Sequence, residues 1–81
     1  MTTEALTAAV AAARLRRGLP DPELRRIIRR RAGLSQAEVG AAVGVDGPTV
    51  CRWELGTRSP RQPAADRYAD LLARLASEVL S

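Results

Sequence analysis

Histidine, lysine and phenylalanine are absent from this chain of 81 residues, and cysteine, tryptophan and tyrosine occur once each. A lone Cys51 excludes an intramolecular disulfide and gives no sign of a secreted, cross-linked scaffold. Without histidine, and with neither a cluster of metal-ligand types nor a Gly-rich phosphate loop, the usual equipment of a hydrolase, metalloenzyme or nucleotidyl enzyme is missing. The carboxylates Asp66 and Asp70 stand four apart with Arg67 and Arg74 beside them, the pattern of a solvated helix face. The expectation is a protein that is not an enzyme, with no cofactor and no metal. No apolar run approaches the roughly 18 residues that span a bilayer. The Ala-rich N-terminus carries Glu4, and its arginines follow the apolar stretch, the reverse of a secretory signal. A cytoplasmic location with no membrane partner is expected.

The basic residues are of one kind: all 13 are arginine, against 9 acidic residues, for a formal charge of +4. Arginine is the side chain whose planar fork suits phosphates and guanine edges, so the balance favours a polyanionic partner. A hydrophobic content of 46%, largely alanine and leucine, suits a single small helical domain. With so few aromatics, Trp53 and Tyr68 are expected as core anchors.

Five helices are predicted. The first covers residues 3–17, where Leu6, Val10 and Ala13 make an apolar stripe. Gly18, Pro20, Asp21 and Pro22 end it and open a second helix, which runs to about Ala32 with Leu24, Ile27 and Ile28 on one face. The arginines at 25, 26, 30 and 31 are expected mostly in solvent, and Gly33 is placed to close the helix in the left-handed conformation. Ser35 and Glu38 have the spacing of a reciprocal capping box, so a third helix starts there and stops at Gly44 after two turns. Asp46 can cap a fourth, with Gly47 and Pro48 in its first turn and Gly56 at its end. After a loop containing Pro60 and Pro63, a long helix reaches Leu80 with Ala65, Tyr68, Leu71, Leu72, Leu75 and Val79 apolar. No stretch alternates as a strand would.

Residues 35–55 carry a more specific pattern. Val39, Val43, Val45, Val50 and Trp53 fall where two short helices joined by a sharp turn must face each other and the core. Gly40 stands where the helices need a small residue, and Gly44 where the turn needs positive φ. These are the requirements of a helix-turn-helix.

Across residues 24–72 the chain resembles the phage-repressor and Cro-like (XRE) family. The resemblance rests on Arg29, Gly33-Leu34-Ser35-Gln36, Val39, Val43-Gly44-Val45, Val50, Trp53-Glu54, Gly56 and Pro60, then Tyr68 and Leu72. It implies an all-α, lambda-repressor-like DNA-binding domain over residues 21–81, which together with an extra flanking helix in residues 1–20 makes a five-helix bundle. It further implies a recognition helix at residues 47–55 in the major groove of double-stranded DNA, and a homodimer on a palindromic operator. Base reading would fall to Arg52, the best guanine partner, with Thr49, Pro48 and Cys51 beside it. Phosphate contacts would come from Ser35, Gln36 and Gly47 at the helix starts and from Thr57, Arg58 and Arg61 after the recognition helix. Arg29 and Glu54 match a partly buried ion pair that orients the motif. The chain departs from the family at Gly47 and Pro48, where long polar side chains often stand, so base reading through that end must be sparse.

Two functions compete at this stage. One is a small phage or prophage regulator acting by operator occupancy. The other is the antitoxin of a toxin–antitoxin pair, which binds its toxin and autoregulates through the same motif. The N-terminal helix is expected to pack on the long C-terminal one, or else to form a dimer or partner interface.

Overall fold

A computed structural model of the chain describes residues 18–80, together with Thr3 and Leu6. The described residues hold four helices and no strand: α1 Pro22–Arg31, α2 Gln36–Val43, α3 Gly47–Leu55 and α4 Ala64–Val79. The count of five expected from the sequence is therefore not matched among the described residues. The N-terminal helix and its packing lie outside them, except that Thr3 and Leu6 are helical.

Each helix begins and ends where its terminal residues allow. Asp21 accepts from the Leu24 amide at 3.2 Å and opens α1, with Pro22 at a first-turn position that has no need of an N–H. Gly33 follows α1 with φ +75°; its own amide bonds Arg30 and the next amide, Leu34, bonds Arg29 at 3.2 Å. This is a Schellman closure, which satisfies two carbonyls that the helix leaves free. Ser35 and Glu38 form the reciprocal box: Oγ of Ser35 accepts from the Glu38 amide at 3.0 Å, and Glu38 accepts from the Ser35 amide at 2.9 Å. The hydrogen bond from the Ser35 amide holds the Glu38 carboxyl below its ordinary pKa.

The core takes residues from every helix. Ile28 of α1, Val39 and Val43 of α2, Val50 and Trp53 of α3, and Tyr68, Leu72 and Ala76 of α4 are all buried. The two aromatics meet with ring centroids 4.7 Å apart and planes tilted by 39°, a favourable offset for aromatic faces and edges. The Tyr68 hydroxyl is buried with no hydrogen-bond partner among the described residues, and desolvation pushes its pKa up to about 12. The shared apolar face read for α1 is corrected at one position: Ile28 is buried and Leu24 half-buried, whereas Ile27 is exposed. A helix turns about 100° per residue, so Ile27 lies about 100° round from the fully buried Ile28 and falls at the edge of the buried face.

Candidate nucleic-acid interface

Helices α2 and α3 make the closest pair in the fold, joined by three residues. Gly44 closes α2 at φ +88°, and both its amide and that of Val45 donate to the Gly40 carbonyl, at 2.8 and 2.9 Å. The chain thus folds back over Gly40. A Cβ there would stand 2.5 Å from the Val45 carbonyl oxygen, so only glycine permits the turn. Asp46 then caps α3, accepting from the Thr49 amide at 2.9 Å and from the Thr49 hydroxyl. These bonds, the hydroxyl's foremost, hold the Asp46 carboxyl below its ordinary pKa and keep it ionised at the positive end of the helix.

The inward face of α3 is fixed by Val50, Trp53 and Glu54. Glu54 is buried and meets Arg29 of α1 through both carboxylate oxygens, Nε to Oε2 at 2.6 Å and Nη2 to Oε1 at 3.0 Å. Hydrogen bonding to the Glu54 carboxylate outweighs desolvation and holds the Arg29 guanidinium above its ordinary pKa. Arg29 also donates to the Leu34 carbonyl at 2.9 Å, and the Gln36 amide donates to Glu54 at 3.2 Å. One carboxylate therefore gathers α1, the start of α2 and the end of α3. A two-pronged guanidinium bond in a largely dry site fixes orientation as well as distance.

Arg25 makes a second tie that sequence reasoning missed. It was expected in solvent; it is half-buried, with Nε donating to the Pro20 carbonyl at 2.7 Å and Nη1 to the Trp53 carbonyl at 3.1 Å. The reason lies at the end of α3, where the amides of Gly56 and Thr57 both turn to Arg52. The Trp53 carbonyl is left without a backbone donor, and a charged one supplies the bond. Arg26, Arg30 and Arg31 are exposed, as expected.

The outward face of α3 carries the residues assigned to base reading. Arg52 and Pro48 are exposed, and Thr49 and Cys51 are half-buried. No hydrogen bond or ion pair engages the Arg52 guanidinium among the described residues, whereas the Thr49 hydroxyl is turned onto Asp46. Thr49 therefore offers its methyl more readily than its proton. Gly47 is half-buried against the backbone of Ala37, where a Cβ would lie 3.4 Å from the Ala37 nitrogen. Of the residues assigned to phosphate, Ser35 keeps its hydroxyl proton while its oxygen caps α2, but the Gln36 side chain faces Glu54. Thr57, Arg58 and Arg61 are exposed in the segment after α3, with the Thr57 hydroxyl 3.4 Å from the Arg52 carbonyl. Among the described residues no group of histidine, cysteine or carboxylate side chains could hold a metal ion, and no helix is long and apolar enough to cross a membrane.

Two short helices locked at a glycine turn, with one face buried and the other bearing free basic groups, define a helix-turn-helix protein, a class built to lay its second helix on DNA. Comparison with known families agrees: the model of the helix-turn-helix domain family matches residues 23–80, and the chain belongs to that family. No curated protein and no solved structure matches the chain.

Proposed function

We propose that this protein is a sequence-specific, double-stranded DNA-binding transcriptional regulator of the small Cro- or repressor-like kind found in phages and prophages. It works by occupying its operator rather than by catalysis, and it binds a palindromic site as a symmetric dimer. Helix α3 enters the major groove and Arg52 reads a guanine through its paired donors. The observation that carries this reading is the division of α3: Val50, Trp53 and Glu54 are buried on one face, and Arg52 is exposed on the other with its guanidinium in no hydrogen bond or ion pair among the described residues. Membership of the helix-turn-helix family supports it, and so do Arg58 and Arg61 beside the helix, free to take phosphates.

A mobility-shift series tests the proposal. Binding to a short duplex should weaken steeply as salt rises, because each neutralised phosphate releases counterions. Binding that is absent at low salt, with the protein folded, would reject it.

A further inference from the structure

Between the turn at Gly44 and the segment that follows α3 lies an open groove of about 380 Å³. Its lining is mixed: Val45, Trp53 and Pro63 supply apolar surface, and Arg58, Arg61 and Arg67 supply charge. No aspartate or glutamate lines it. All three arginines are exposed, and none makes a hydrogen bond or ion pair among the described residues.

Arg67 comes from α4, outside the helix-turn-helix, and its position is set by the turn. A Cβ on Gly44 would stand 3.2 Å from Arg67 Nη1, so the guanidinium lies over the bend that leads into α3. The carboxylate next to it in the chain makes no ion pair with it; Asp66 accepts from the Gln62 side-chain amide at 2.9 Å. Asp70 does not line the groove; it lines a separate depression that Arg67 and Arg74 also border. Three like charges around one concave surface repel one another and are stabilised by an anion seated among them. Guanidinium forks suit phosphate oxygens, and the apolar part of the lining, at Val45, Trp53 and Pro63, suits the carbon face of a sugar.

We infer that this groove seats one sugar-phosphate unit of the DNA strand beside α3, and that Arg67 is a phosphate contact together with Arg58 and Arg61. The inference rests on the DNA-binding reading and extends the surface onto α4. A free nucleotide has the same chemistry, so the test separates the two sources.

Binding to a duplex of arbitrary sequence is measured over a salt series for the wild-type chain and for Arg67→Gln, Arg67→Lys and Arg58→Ala. Arg67→Gln should weaken binding and make the log–log salt slope shallower by about 0.9, the loss of one phosphate contact. Arg67→Lys, which keeps the charge, should retain the wild-type slope; if Arg67→Gln melts early, the NMR titration of the wild-type chain below decides the matter. A wild-type slope in Arg67→Gln beside a shallower one in Arg58→Ala would overturn the inference and leave the DNA-binding reading standing. No duplex binding by the wild-type chain would overturn both. In a second arm, the Arg67 side-chain N–H signal is followed by NMR during addition of duplex or of deoxyadenosine monophosphate. It should move with the duplex and stay in place with the nucleotide at equal phosphate concentration. Movement with the nucleotide alone would assign the groove to a free ligand and overturn the strand assignment.

Discussion

The Arg25 guanidinium donates to the Trp53 carbonyl at 3.1 Å, joining the first helix to the last turn of α3 across 28 positions of sequence. The same side chain holds Pro20, so the segment leading into α1 and the end of α3 share one clasp. Arg25→Met keeps most of the stem and removes the donors. It should lower stability by about 1.5 kcal/mol, the low end for hydrogen bonds from a charged group. Urea unfolding with an unchanged m-value checks this. A midpoint equal to wild type would mean that the clasp holds nothing.

Arg29 and Glu54 make a tighter junction, with side chains 13% and 2% exposed. Breaking one partner leaves the other charge without its mate in a dry site, so Arg29→Met should cost about 3–5 kcal/mol near neutral pH. Replacing both with Met should cost less than the two single changes together, since the second removes the charge that the first has stranded. Additive losses in a double-mutant cycle would contradict a direct coupling.

Gly40 and Gly33 separate steric need from backbone need. At Gly33 a Cβ would meet nothing within 4 Å, but φ is +75°, so Gly33→Ala should cost about 1 kcal/mol through the left-handed conformation alone. At Gly40 a Cβ would stand 2.5 Å from the Val45 oxygen and 3.0 Å from the Asp46 carbonyl carbon, backbone atoms that cannot step aside. Gly40→Ala should cost about 3 kcal/mol, the upper range for overpacking, despite the better helix propensity of alanine. Thermal unfolding of the two variants ranks them, and the reverse order would refute the steric account of the turn.

What could be read in the sequence was local. The Ser35–Glu38 box, the Asp46 cap and the glycines at 33, 44 and 56 each act within a few residues, and each stands where its spacing placed it. The core anchors were legible as well, because Trp53 and Tyr68 fall on helical apolar stripes. What depended on tertiary approach was not. Arg25 looked like its solvated neighbours because its acceptor is a distant backbone carbonyl, which leaves no trace in side-chain patterning. Gln36 carried no sign that its amide would turn to Glu54. The basic groove escaped notice for the same reason: Arg67 reaches the Gly44 turn only once α4 has packed. Arg29 and Glu54 were paired by family resemblance, since 25 residues separate them and spacing alone gives no reason to join them.

The central claim is that the exposed face of α3 reads DNA, with Arg52 as its principal reader. Selection of bound duplexes from a random pool, carried out in parallel with the wild-type chain and Arg52→Ala, tests it most directly. The account predicts a palindromic consensus for the wild type and, for Arg52→Ala, relaxed preference at one base pair of each half-site with folding unchanged. Identical consensus sequences from the two proteins would contradict the assignment of Arg52, and a pool without enrichment from the wild-type chain would contradict sequence-specific recognition itself.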